Sequence, residues 1–537
     1  MVIDIANRNV RKIEYYVGGN LCSRLYLYSP DKRFYDNLCR CYEKNGMDKE
    51  SERLIADDET ELTYIHLDYQ TDKVTAFRSI TSHYELFYTV LKNGKKVLTD
   101  HMKNLLSYIP VKDREVDVEA VCDVALFQHN YGKETYIKGV YRLGLGELLV
   151  SDQEGIRTWQ EQMLEIGKYD LSGERGEKVI YDSLCSACDK MVEKGAVNAL
   201  SGGVDSTLTH IIMGNPKSVS GSYNHEAFQI EKRYALDAAA MLSADHTVYD
   251  IEMSEYMDKM KGVSKAYGLP PFNLTTQVMH YTIAEHIKNT RIVVSEMAGG
   301  AFGAESRTPC TLEAAKKYPM NHLYNWANLN NNVVGEEECK YLVKMFGQEM
   351  VDKRLQARND HVLACIKNLD ITDSSIDNYI QFGAFIRYFS YNVVSIEEQT
   401  ETEAGNSIVC LMSARRLMEN IASLDKKGRY WNEEWGDKPY AKILLKQLLP
   451  EYEVNKPKLG GALPRTWMVT EGPMAGYFKE HDIPDFVPEN LYEDMKNPAW
   501  DCSWGVKHMV MFSIWKEAVF DRELEKIPSK FWEEVMN

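Results

Sequence analysis

The run Leu200-Ser201-Gly202-Gly203-Val204-Asp205-Ser206 constrains this chain more than any other feature. It follows a short apolar segment at 196–200 and precedes a helix-like segment that starts at Ser206 and stops at Gly214-Asn215-Pro216. Glycines let a backbone approach a ligand closely and take positive φ without steric cost. A helix start offers unpaired N–H groups and the positive end of a dipole, which suits a pyrophosphate. Ser201 and Ser206 add hydroxyl donors. Asp205 repels an anion, so its natural role there is to hold Mg²⁺ against the phosphates. The lysine of a Walker loop is missing. The plainer alternative is a Gly-rich turn with an Asp cap.

The surroundings favour the phosphate reading. Residues 178–194 show helical spacing of apolar residues at Ile180, Leu184, Ala187 and Met191. Strand-like runs at 217–223, 247–251 and 291–295 alternate with helix-like runs at 226–243 and 275–288. Short strands alternating with helices predict an α/β fold with a parallel sheet covered on both faces. The segment before about residue 160 reads as strand-rich, with strands at 62–69, 73–79 and 147–151. A polar, Gly-containing stretch marks a boundary near 165–175. The expected division is an N-terminal domain at 1–165 and an ATP-binding domain at 175–537. The part after 295 reads as mostly helical.

Composition narrows the function. With 63 basic and 80 acidic side chains, the net charge is −17 over 537 residues. Such a surface repels phosphate backbones and argues against nucleic-acid binding. No stretch approaches the roughly 18 apolar residues of a membrane span, and the N-terminus lacks the pattern of a secretory signal. Eleven scattered cysteines point to reduced thiols and a cytoplasmic location. Cys185-Ser-Ala-Cys188 is a lone CxxC and reads as two buried helix cysteines rather than half of an iron–sulfur site. The 13 histidines form no zinc pattern. Acidic runs such as 401–403 read as solvated faces.

The SGGxDS loop matches the PP-loop of ATP pyrophosphatases, and most of the chain from about residue 60 resembles the glutamine-dependent asparagine synthetase family. Residues 231–246 resemble its helix after the second strand, and 136–147 the end of its N-terminal domain. The resemblance implies a glutaminase-like αββα domain followed by a PP-loop domain with a helical extension. It assigns ATP contacts to Leu200, Ser201, Gly202, Gly203, Asp205, Ser206 and Ser295, and Mg²⁺ to Asp205. Glu296 falls on the family's first glutamate, which assists proton transfer during amide formation; the plainer alternative is a strand-end carboxylate capping the next loop. Gly299 and Gly300 stand where the family has a metal-binding aspartate and a glutamate. Residues 455–464 resemble its basic loop, placing Lys458 on the catalytic lysine, with Lys446 replacing an arginine of the preceding helix. A lysine in a loop is otherwise a solvated charge.

Glutamine hydrolysis in the family needs a cysteine at residue 2, and Val2 has no nucleophilic atom. The chain therefore resembles members without a working glutaminase, such as β-lactam synthetases and lasso-peptide cyclases. The expected activity is ATP-dependent, AMP-forming coupling of a carboxylate to an amine or ammonia, in specialised-metabolite or peptide biosynthesis. The expected partners are a small-molecule or peptide carboxylate and an amine, with no nucleic acid and no membrane; a homodimer is left open. The rivals are a PP-loop tRNA-modifying enzyme and a scaffold or regulatory pseudoenzyme that keeps the fold.

Overall fold

The computed structural model describes residues 1–127, 132–165, 170–271, 275–296, 301–302, 313, 316, 342–368, 372, 393–425, 432–457, 467, 472–474, 477 and 503–535. Side chains are described throughout these residues except at 361–362, 365–366, 368 and 503–508.

Alternation builds the first layers. In the strand Thr63–Asp68, Thr63, Ile65 and Leu67 are buried while Tyr64, His66 and Asp68 are half-buried, the period-two pattern of a strand with unequal faces. It lies in an antiparallel six-stranded sheet, in the order Gly155–Gln160, Glu147–Asp152, Lys73–Arg78, Thr63–Asp68, Asn20–Tyr28, Arg11–Val17. A second sheet has the order Phe531–Glu534, Val2–Ile5, Lys96–Thr99, Phe87–Val90, Val140–Arg142. Ile65, Leu67, Val74 and Leu149 from one sheet meet Ile3, Ile5, Tyr88 and Leu98 from the other. Helices cover both outer faces. Leu38 and Tyr42 of the helix Lys32–Asn45 pack on Ile13, Leu25 and Phe77. Met102, Leu105 and Val121 pack beside Phe87 and Val140 on the other side. The layers are thus helix, sheet, sheet, helix. The strand-rich expectation for this part omitted the helices Lys32–Asn45, Lys49–Asp57 and Val118–Phe127. Asp31 and Asp48 cap the first two through their carboxylates.

The third sheet is parallel and five-stranded. Its order is His246–Ile251, Ser218–Tyr223, Val197–Ala199, Arg291–Val294, Ser407–Cys410. The order reverses beside Val197–Ala199, where the chain steps first to one edge and then to the other. Ligands of doubly wound sheets bind at the carboxyl ends of strands at such a switch point. The intervening helices are Gly173–Met191, Val204–Ile212, Gln229–Leu242, Tyr256–Tyr267 and Thr276–His286. The α/β class and parallel sheet expected from the alternation are what the structure has.

Beyond residue 295 the expectation needs correction. The described part includes the helices Gln348–Asn368, Ser395–Thr402, Arg415–Ala422, Pro439–Leu448 and Ser503–Trp515, but also two strands. Ser407–Cys410 is buried at every position, so it shows no alternation to read. Phe531–Glu534 pairs antiparallel with Val2–Ile5, so the end of the chain completes the first-built layers.

The helix Ser395–Thr402 joins the layers. Ser395 Oγ donates to the His83 carbonyl at 2.7 Å and Gln399 Nε2 to the Asp100 carbonyl at 2.7 Å. Glu398 accepts from Asn7 Nδ2 at 2.6 Å and from Ile408 N at 2.5 Å. Glu401, expected on a solvated face, is fully buried, whereas Glu403 is exposed. A short helix enclosed by two sheets leaves its carboxylates no route to water. Among the described residues, no helix is long and apolar enough to cross a membrane.

Candidate active site

The loop after Val197–Ala199 takes the shape its glycines allow. Gly202 has φ +71°, and a Cβ there would meet the Tyr234 carbonyl oxygen at 2.0 Å. Gly203 is different: it is extended, at φ −81°, and precedes the helix Val204–Ile212, whose first turn no side chain caps. Its N–H groups therefore face the space in front of the loop. Ser206 fastens the turn from behind. Its hydroxyl accepts from Ser201 N at 3.2 Å, lies 3.0 Å from Ser201 Oγ and donates to the Gly203 carbonyl at 3.3 Å. Leu200 is fully buried against Ala238, Leu445 and Tyr452, so it anchors the loop and leaves only its backbone to a ligand.

This loop floors a cavity of about 620 Å³. One wall runs along Val219–Ser222, Phe228 and Met279; another is made by Gly436–Lys438 and Tyr452–Pro457. The second wall supplies cations. Lys438 donates to Asp205 Oδ2, and both side chains are largely buried. Lys438 sits at φ +52°, a left-handed conformation that disfavours a residue with a Cβ. It immediately precedes Pro439 at the start of the helix Pro439–Leu448, and the helix thereby aims it at the loop. Lys442 secures that wall, donating to the Trp435 carbonyl at 2.8 Å, Asp437 Oδ1 at 2.6 Å and Asn455 Oδ1 at 3.0 Å. Lys446 donates to the Tyr452 carbonyl at 3.1 Å. Tyr452 reaches back, its hydroxyl donating to the Gly202 carbonyl.

Lys456 lies over the rings of Tyr452 and Tyr234, at 4.4 and 5.0 Å from their centroids. Its ammonium makes no hydrogen bond among the described residues. Burial lowers its pKa, against the pull of Asp237 and Glu453. An ammonium held by ring faces alone is available to an anionic ligand.

The far side of the cavity begins where the strand Arg291–Val294 ends. Ser295 donates its hydroxyl to Thr209 Oγ1 at 3.0 Å, tying that strand end to the helix after the loop. Glu296 lines the cavity with its side chain about a third exposed. Behind it, His280 Nε2 lies 4.0 Å from Glu296 and 3.5 Å from Glu397, and His280 Nδ1 lies 3.8 Å from Glu401. Burial opposes the imidazolium, but Glu397, Glu401 and Glu296 together lift the His280 pKa to about 9. Burial pushes the Glu397 carboxyl up to about 8, with His280 pulling it down.

The expected ATP and acid–base residues Leu200, Ser201, Gly202, Gly203, Asp205, Ser206, Ser295 and Glu296 all line one cavity. Lys458, Gly299 and Gly300 lie outside the described residues. For Mg²⁺, Asp205 offers one carboxylate oxygen: Oδ1 is buried and makes no hydrogen bond among the described residues, while Oδ2 is held by Lys438. A hard cation taking oxygen donors fits that arrangement. Cys185 is half-buried and Cys188 buried, and burial raises both thiols. Sequence reasoning did not single out Lys438, Tyr452, His280, Glu397 or Glu401 as site residues. None sits in a motif; Lys438, Tyr452 and His280 reach the cavity by tertiary packing, and Glu397 and Glu401 pack behind His280.

Residues 177–358, about a third of the chain, match the asparagine synthase family model. That family comprises ATP-dependent carbon–nitrogen ligases. The match contains the loop, Ser295 and Glu296 and ends before Lys438 and Tyr452. No curated protein matches the chain.

Proposed function

We propose that this chain, an asparagine synthetase-like ATP-dependent carbon–nitrogen ligase, adenylates a carboxylate and couples it to an amine without hydrolysing glutamine. One observation carries the reading. A phosphate-sized turn at the sheet's switch point, with a buried carboxylate oxygen on Asp205 and the Lys438 ammonium beside it, opens into the same cavity as Glu296.

The steps follow from the residues. The purine packs between Val219, Phe228 and Met279, and the pyrophosphate rests on the N–H groups of the turn. Mg²⁺ on Asp205 Oδ1 would neutralise the leaving pyrophosphate. Lys438 supports the same charge from its fixed position, and Lys456 meets it from the same wall. The substrate carboxylate attacks the α-phosphorus, giving an acyl-adenylate and pyrophosphate. The amine then attacks the acyl carbon, Glu296 takes its proton, and AMP departs. Lys458 stabilises the charge that builds on the acyl oxygen.

The nitrogen comes from an amine on the substrate or from ammonia. The strand Val2–Ile5 offers no thiol or hydroxyl side chain, Val2 is fully buried, and Phe531–Glu534 and Lys96–Thr99 pair along its two edges. The nearest cysteine, Cys22, is buried. A product of specialised metabolism, formed from a peptide or amino-acid derivative, accords with this loss.

The test is ATP–pyrophosphate exchange in the presence of pooled carboxylic acids. Acid-dependent exchange that Asp205→Ala abolishes supports the reading. Formation of ADP and phosphate instead of AMP would refute it.

A further inference from the structure

The group behind Glu296 is built for an ion. One nitrogen of His280 and one carboxylate oxygen each of Glu296 and Glu397 all lie within 4.8 Å of one another. The three come from separate elements: the helix Thr276–His286, the end of the strand Arg291–Val294, and the helix Ser395–Thr402. Glu397 is fully buried, and neither of its oxygens accepts a hydrogen bond among the described residues. A buried carboxylate without hydrogen bonds is strongly disfavoured unless a cation faces it. The His280 imidazolium does so from 3.5 Å, and a metal ion bound between them would take the place of its Nε2 proton, which is released on binding. Across the ring, His280 Nδ1 faces Glu401 Oε1 at 3.8 Å. Asn406 Nδ2 in turn donates to Glu401 Oε2 at 2.6 Å. A carboxylate behind the second ring nitrogen is the usual way to orient a histidine that binds metal through the first. Glu397 and Glu401 are one helical turn apart, so both reach the same ring.

We propose that His280, Glu296 and Glu397 form a divalent transition-metal site, with Glu401 holding the His280 ring and an open side facing the cavity. One imidazole and two carboxylates suit Mn²⁺, Fe²⁺ or Zn²⁺ better than Mg²⁺, which prefers oxygen alone. The donors are spaced so that an inward movement of under about an ångström brings each to bonding distance. The site is separate from Asp205 and needs no nucleotide. Its role rests on the proposed function: an ion there presents an open coordination position to the substrate carboxylate or amine, while the second oxygen of Glu296 remains for the proton.

The experiment uses the full-length chain, stripped with chelator and free of nucleotide, titrated with Mn²⁺ and followed by electron paramagnetic resonance. The expected result is one tightly bound Mn²⁺ per chain, showing coupling to a single imidazole nitrogen. Glu397→Gln, which keeps the shape of the side chain, is expected to weaken binding at least tenfold. His280→Gln is expected to abolish the nitrogen coupling, and Asp205→Asn to leave both unchanged. This result supports the site even if ATP–pyrophosphate exchange is absent. Failure of the unaltered chain to bind Mn²⁺ would overturn the proposal, as would binding that ignores Glu397→Gln or vanishes in Asp205→Asn, however robust the exchange.

Discussion

Lys438 donates to Asp205 across the mouth of the phosphate turn, joining two residues 233 positions apart in the sequence. The pair sits in a largely buried place, and removing one member would leave the other charge uncompensated. Lys438 also holds a left-handed backbone, a conformation that costs about 1 kcal/mol or more for a residue with a Cβ. A strained, buried lysine aimed at a phosphate turn places its charge where pyrophosphate develops.

Two substitutions at Lys438 separate charge from strain. Lys438→Met should raise the KM for Mg·ATP about tenfold or more, the equivalent of losing one charge-assisted hydrogen bond of about 1.5–3 kcal/mol. Lys438→Gly should lose the same ATP affinity yet melt higher than Lys438→Met, because glycine takes the left-handed backbone without strain. Steady-state kinetics and thermal melts check both halves. Equal melting of the two variants would contradict the strain argument.

The two glycines of the turn should not behave alike. Gly202→Ala places a methyl 2.0 Å from the Tyr234 carbonyl oxygen and forces an alanine to φ +71°. It should abolish nucleotide binding measured by calorimetry. Gly203→Ala meets only Ser201 Oγ, at 3.5 Å, and has an ordinary backbone, so the protein should fold normally. Any loss of affinity there would come from contact with the phosphates alone.

Tyr452→Phe removes the donor to the Gly202 carbonyl while leaving the ring that supports Lys456. The buried carbonyl then loses a partner, and the expected loss of stability is about 1–3 kcal/mol. Urea unfolding should show a lower midpoint with unchanged slope. An unchanged midpoint would mean that the turn holds its shape without Tyr452.

His66 makes the pH dependence testable far from the cavity. Its Nε2 is buried without a hydrogen bond among the described residues, and its ring meets Tyr42 edge-on. Burial lowers its pKa from 6.5 to about 4. The folded state therefore resists protonation that the unfolded chain accepts. Stability from the neutral ring is fully present above pH 6.5 and is lost as pH falls toward 4. The loss is on the order of 3 kcal/mol near pH 4. His66→Leu should remove that part of the acid sensitivity, so the variant should gain on the parent as pH drops from 6.5 to 4. Melting temperatures across this range decide the point. Parallel curves would show that His66 titrates alike in both states.

What the sequence made legible follows from where the information lies. The phosphate turn is local: glycine, hydroxyl and carboxylate sit within seven residues, between a strand and a helix. The parallel sheet was legible because its first four strands alternate with helices. The strand Ser407–Cys410 was not, since a strand buried on both faces has no periodicity. Glu401 looked like a surface charge, and Glu397 gave no signal, because burial of a carboxylate depends on what packs around its helix. Here that is the sheet containing Ser407–Cys410 on one side and His83 and Asp100 on the other. Lys438 and Tyr452 were silent for the same reason. Their partners lie more than 230 residues away.

The most direct test of the central claim is the fate of oxygen from the carboxylate. An acid that supports pyrophosphate exchange, labelled with ¹⁸O in its carboxyl group, should deliver one ¹⁸O into AMP as the amide forms. This transfer should disappear in Asp205→Ala. Unlabelled AMP, or label appearing in inorganic phosphate alongside ADP, would contradict an acyl-adenylate on this turn.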